Sequence, residues 1–288
     1  TSNWLCVNRG KKDITLNLKS PKALELLDAL VAKMDVVIQS FLPDTAEKLG
    51  VGYDRLKALN PDLIYCSVSG YGAKGPLRNK AGYDAMVAAY SGVFALTGEA
   101  DRPPVRPGVA AIDMSTGMLA YGGVVSALLA RERGAGGQRV DVSLLESGVS
   151  LLSYHGVAWT AGGVRPEREG AGFSTISPYG VYRARNGDIL IGAPSQPMWL
   201  KACGVLNAPE LADDPRYESN VERCRHDDDI RKDLEALLAA DDVDIWIERF
   251  EAAGVATAAM NTLEQVFQDK QVLANDMVVP AKRPDGTT

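Results

Sequence analysis

The stretch MDVVIQSFLPDTAEKLGVGYDRLKALNPDLIYCSVSG, residues 34–70, decides the fold. Val36-Val37-Ile38 reads as a short buried strand and Leu63 to Val68 (LIYCSV) as a second. Two helical stretches, 44–49 and 53–59, lie between them on short connections. Strand, helix, strand in such quick succession implies a parallel sheet with helices on its faces. Ligands of such sheets gather at the carboxyl ends of the strands. The loop after the second strand, SGYGAKGP, is therefore a candidate site.

Working outward, Ile14, Leu16 and Leu18 alternate with polar residues as a further strand would. Ser20 can cap a helix with Pro21 at its first position, and Leu24, Leu27, Leu30 and Val31 then recur at helical spacing. Downstream, 114–131 is helical, with Gly117, Gly122 and Gly123 available for close approach, and a short strand at Val140 and Val142 precedes another helix. Gly, Pro and charge dominate 161–176, which reads as a linker. Beyond it two short strands flank Asn186-Gly187, a strong hairpin signal. Helices at 196–205, 219–239 and 243–253, a strand in VATAAMN and a helix capped near Asn261 or Thr262 complete the pattern. The expected organisation is a large α/β domain over 1–160, the linker, and a smaller α+β domain over 177–279.

The 288 residues are 46% apolar and 24% charged, enough for a sizeable core. A net charge of −6 argues against nucleic acid as a partner. Lys11, Lys12, Lys19 and Lys48 are singly surface lysines; together they could meet a multiply phosphorylated small molecule. Four scattered cysteines suggest free thiols in a reducing compartment, the cytoplasm or an organelle lumen such as the mitochondrial matrix. The most apolar stretch, 117–130, is too short and glycine-rich to span a bilayer, so no membrane is expected. The chain opens on Thr1 rather than Met, which suggests material missing at one or both ends.

GYGAKG at 70–75 matches the dinucleotide-binding spacing, but Pro76 and a loop follow where that motif opens a helix. His155 reads as packing, His226 as part of a solvated charged helix, and Asp227, Asp228 and Asp229 as an exposed helix face. No metal site is indicated. In GVAAIDMSTG, 108–117, Asp113 stands before a long apolar helix. It could cap that helix. Unpaired N–H groups at a helix start also favour a carboxylate anion, which can attack an activated acyl group. The residues alone leave both roles open.

The order of NRGKKDITLNLKSP (8–21), DVVIQSFLPDTAEKLGVGYDRLKALNPDLIYCSVSGYGAKGP (35–76), AGYDAMVAAYSG (81–92) and the segment from TGEADRPPVRPG (97–108) into GQRVDVSL (137–144) resembles the class III CoA-transferases, the formyl-CoA transferase and CaiB/BaiF type. SPYGVYRARNGDILIG (177–192) resembles that family's small domain. The resemblance implies a Rossmann-like large domain lacking its N-terminal part, a return toward it from 280–288, and an interlocked-ring homodimer. It implies Asp113 as catalytic nucleophile. Coenzyme A, as cosubstrate with no prosthetic group, would meet Leu16, Asn17, Leu18 and Lys19, then Ser40, Phe41 and Leu42, then Lys48 and Leu49, and the loop Ala81, Gly82, Tyr83 and Asp84. A glycine-rich loop covering the intermediate would fall at Gly170 to Phe173. Ser40 and Lys48 replace an Asn and an Arg of the compared transferase, and Lys lacks the bidentate fork.

The partners implied are an acyl-CoA and a small carboxylic acid. The related α-methylacyl-CoA racemases carry Gly-His-Asp where this chain has Gly82-Tyr83-Asp84, and a phenol with a pKa of about 10 is a poor base. The alternatives to CoA transfer are a racemase-like or other CoA-ester enzyme and a non-catalytic CoA-binding protein.

Overall fold

The computed structural model describes residues 2–280, so the return expected over 280–288 lies almost wholly outside the described residues. It divides into two compact units, Thr1–Arg168 and Glu169–Thr288.

The first unit runs α1 (Ser2–Asn8), α2 (Pro21–Val31), β1 (Val36–Gln39), α3 (Pro43–Lys48), α4 (Tyr53–Leu59), β2 (Ile64–Ser69), α5 (Asp84–Tyr90), α6 (Ala111–Ala130), β3 (Arg139–Ser143), α7 (Leu144–Leu151) and α8 (Ser153–Gly162). The sheet is parallel, in the order β1-β2-β3, with Val37 opposite Tyr65 and Tyr65 opposite Arg139. The segment 11–17 is not a strand. Its alternation finds no neighbouring ladder, and Ile14 is 66% exposed. Ile38 is exposed too, so β1 is an edge strand rather than a buried one.

Period-two alternation gives the sheet two different faces. Ile64, Cys66, Val68, Val140 and Val142 pack against Ala120, Val124 and Ala127 of α6. Of the three glycines in that helix only Gly123 is needed for contact, since a Cβ there would stand 2.7 Å from Val140. Gly117 and Gly122 face open space. Together with the π-helical turn Arg131–Ala135, the helix beginning at Ala111 is, by length and composition only, long and apolar enough to cross a membrane. One face is nonetheless seated on the sheet. On the sheet's other face Tyr65 packs with Val31, Leu56 and Leu63, while toward the carboxyl ends Gln39 donates to Ser67 Oγ at 2.8 Å.

The second unit contains β4 (Tyr179–Arg183), β5 (Asp188–Gly192), α9 (Gln196–Val205), α10 (Pro209–Ala212), α11 (Asn220–Arg225), α12 (Asp227–Leu238), α13 (Val243–Ala253), β6 (Ala256–Ala259), α14 (Leu263–Gln268) and α15 (Lys270–Ala274). Its antiparallel sheet has the order β4-β5-β6. The hairpin closes one residue earlier than Asn186-Gly187 suggests: Arg183 pairs with Asp188, which centres the turn on Arg185-Asn186, and neither has positive φ. Asn186 instead accepts the Val243 N–H at 2.9 Å, capping α13 from outside. Thr262, not Asn261, caps α14 through a reciprocal box with Gln265.

Asp227 is no mere member of an exposed face, since its carboxylate accepts from Ser177 Oγ at 2.6 Å. His226 sits at the break between α11 and α12, its ring against the Glu222 carbonyl. Arg223 is fully buried and stacked over Trp199, donating to the Ser177 carbonyl at 2.7 Å. Burial lowers its pKa below the ordinary guanidinium value.

Candidate active site

The candidate site centres on the start of α6. The residue before the helix is Ala110, which has no side chain able to cap. Asp113 is the third helical residue, so it is not the N-cap. The cap comes instead from Asp84, the first residue of α5. Its Oδ2 accepts the N–H of Ile112 at 3.0 Å and that of Asp113 at 3.2 Å. Those are two of the donors every helix start leaves unpaired. With capping done from another helix, the Asp113 carboxylate accepts no hydrogen bond from the described residues and lies exposed. Its pKa is raised above the ordinary carboxylate value, first by partial burial and then by the neighbouring charge of Asp84.

The surroundings hold this start in place. Thr116 Oγ1 lies 2.7 Å from the Ile112 carbonyl and 2.8 Å from Ser147 Oγ, and Ser147 donates to the Ser143 carbonyl, so α6 is bonded to the head of α7. Asp84 is placed by a crossing of two backbones. A Cβ on Gly82 would stand 2.6 Å from the Gly70 Cα, and one on Gly70 would stand 2.6 Å from the Gly82 nitrogen. Only glycine at both positions lets the loop leaving β2 pass the segment entering α5.

The segments expected to meet coenzyme A occupy two neighbourhoods. Ser40 to Leu42 follow β1 directly, and Ala81 to Asp84 close the loop that follows β2, so both lie beyond carboxyl strand ends. Asp44 of α3 ties them together, accepting from Arg78 at 2.7 Å and Asn79 at 2.8 Å. Tyr83 is 72% exposed. Lys48 and Leu49 end α3, and Gly50 next to them is 3.7 Å from Leu24 of α2 by its would-be Cβ. Leu16 to Lys19 lead into α2 with Lys19 exposed. Among the described residues they make no hydrogen bond to the Asp84 loop or to α6.

A polar cleft of about 430 Å³, to which the SGYGAKGP loop contributes Ala73 and Lys74, opens between α3, the 73–78 loop and the polar face of the sheet. Lys74 and Arg78 line it with Gln39, Ser67, Arg139 and Asp141. Its signal in the sequence is the alternation of polar and apolar residues in Cys66-Ser67-Val68-Ser69 and Arg139-Val140-Asp141-Val142. That pattern is unusual for a parallel strand expected to be covered on both faces.

The first unit is thus a parallel α/β fold with an exposed, unbonded aspartate in the first turn of an apolar helix, beside loops at the strand ends. The family model of the CoA-transferase family III matches residues 1–288, and the chain belongs to that family. It is 41% identical over 279 residues to an acyl-CoA transferase of Fusarium pseudograminearum, an alignment covering 96% of this chain and 61% of that protein. It is 36% identical to the succinyl-CoA:glutarate CoA-transferase of Mus musculus, over 98% of this chain and 64% of the relative. The chain thus spans about three-fifths of the length of these curated relatives. Among solved structures, a CaiB/BaiF family protein from Brucella suis matches with a TM-score of 0.85 at 33% identity, covering 96% of this chain and 76% of that one.

Proposed function

We propose that this chain carries the nucleophile of a CoA-transferase that moves CoA from an acyl-CoA to a carboxylic acid through an aspartyl-CoA thioester on Asp113. The observation that carries the reading is the division of labour between two aspartates: Asp84 caps α6, and the Asp113 carboxylate stays unbonded. Asp113 adds to the thioester carbonyl of the donor, the C–S bond breaks, and a mixed anhydride and CoA thiolate form. The thiolate then attacks the aspartyl carbonyl, releasing the donor acid and leaving Asp113 as a CoA thioester. The acceptor carboxylate reverses the sequence. A raised pKa makes Asp113 a better nucleophile than an ordinary carboxylate while it is ionised.

The names of relatives, succinyl-CoA:glutarate and acetyl-CoA:oxalate CoA-transferases among them, support a short dicarboxylic acid as one substrate. Ser40 to Leu42 and Ala81 to Asp84 would hold the CoA arm, with Leu16 to Lys19 and Lys48-Leu49 toward its nucleotide. The large unit would belong to a Rossmann-like domain and the protein to a homodimer in the cytoplasm or the mitochondrial matrix. The dimer reading draws on α6, where Met114, Met118, Tyr121, Val125 and Leu129 form one exposed apolar stripe. Incubation with succinyl-CoA followed by mass spectrometry tests the reaction. A CoA adduct on the Asp113 peptide, absent in Asp113→Asn, is the expected result. Deuterium exchange at the α-carbon with no adduct would replace transfer by racemase-like chemistry.

A further inference from the structure

A second cleft, of about 390 Å³, lies in the first unit and shares no lining residue with the Asp113 and Asp84 site. Its walls are apolar: Ala95 and Leu96 on one side, Leu152, Gly156 and Trp159 on the other. His155 and Arg165 are its polar groups. Among the described residues Arg165 forms no ion pair or hydrogen bond, although the chain as a whole is acidic. The segment carrying Arg165 is fastened down: Arg168, three residues on, donates to the carbonyls of Glu99, Ala100 and Arg102 at 2.8 to 3.0 Å. At its other end the N–H of Val164 bonds the Ala158 carbonyl. Arg165, exposed and unpaired at the edge of an apolar trough, is therefore carried on a strap anchored at both ends.

We infer that this cleft binds a small aliphatic monocarboxylate, its chain between Leu96, Leu152 and Trp159 and its carboxylate on Arg165, with the His155 ring as a second donor. Apolar walls with a few convergent polar groups are the usual makeup of a small-molecule site. The guanidinium selects the charge and the headgroup geometry. The inference is independent of CoA transfer, since binding alone is at issue.

Calorimetric titration of the full chain with butanoate, hexanoate and octanoate tests it. Affinity should rise about fourfold per methylene until the cleft is full. Hexylamine should not bind. Arg165→Ala should weaken hexanoate by about tenfold or more, with Arg165→Lys recovering part of the loss. Gly156→Leu supplies a variant that leaves the charge alone. A Cβ there meets only Leu152, at an ordinary 3.7 Å, so the side chain enters the trough within a helix that tolerates leucine well. It should abolish binding. Hexanol binding as tightly as hexanoate, or an unchanged affinity in either variant, would overturn the assignment. So would a Gly156→Leu protein that has lost its oligomeric state, because a second copy of the chain would then be what covers the cleft.

Discussion

The two units bury their apolar side chains differently. In the second, Trp199, Tyr217, Ile230, Leu234, Leu238 and Phe250 belong to one continuous core shared by the sheet and helices α9, α10, α12 and α13. In the first, burial is divided among three small clusters. There α6 sends Met118 out 65% exposed and Tyr121 more so, in a stripe at helical spacing. The first unit thus leaves one apolar face of α6 exposed, and its proposed chemistry sits at one end of that helix. Stability and function are therefore separable by unit, which substitutions can test.

The largest effect should come from the closed core. Trp199 has no exposed surface, and Trp199→Ala should cost about 3–5 kcal/mol in chemical denaturation. A loss well below that would mean the second unit is less tightly packed than the contrast requires. Gly82→Ala strikes the crossing with Gly70, where backbone rather than a flexible side chain must move. About 1–3 kcal/mol is expected, with loss of CoA-transfer activity because Asp84 is displaced along with the segment.

Asp84→Ala removes a cap acting from another helix and should cost about 1 kcal/mol. A purely structural cap would leave the pH profile of turnover alone. Removing the Asp84 charge should instead move the acid limb of kcat/KM to lower pH, because that charge helps hold the pKa of Asp113 up. Smaller still in folding is Met118→Lys on the exposed stripe, expected within about 0.5 kcal/mol. Its effect should appear in size-exclusion chromatography as a shift to a smaller species. A folded variant with unchanged size would show that the stripe is not an interface.

Much of the frame was legible because it is local. Pro21 opens α2, Tyr53 to Leu59 is a helix, and β1 and β2 are parallel across a two-helix crossover, all from spacing and punctuation. Strand-like alternation at 14–18 misled because a strand is defined by its neighbour, which no local pattern supplies. The site was half legible. Asp113 stood out as a lone carboxylate before an apolar helix, but the identity of the cap depended on Asp84, distant in sequence and delivered by a glycine crossing. The polar face formed by Gln39 and Ser67 was equally hidden, since it requires the register of two strands.

The finest test of the comparison uses one atom pair. Asp113→Asn keeps size and shape and removes the charge. With the folded pKa above the unfolded one, the native state holds its proton over a pH range in which the unfolded chain has lost it. The aspartate's ionisation therefore destabilises the fold progressively as pH rises from about 3.9 through the raised value. Above that window the penalty is complete, and below it there is none. The asparagine variant should accordingly melt slightly higher than the parent at pH 7 and coincide with it in acid, while forming no CoA adduct. A variant less stable at pH 7 would mean that the carboxylate is holding the helix after all, and that Asp84 does not relieve it of that duty.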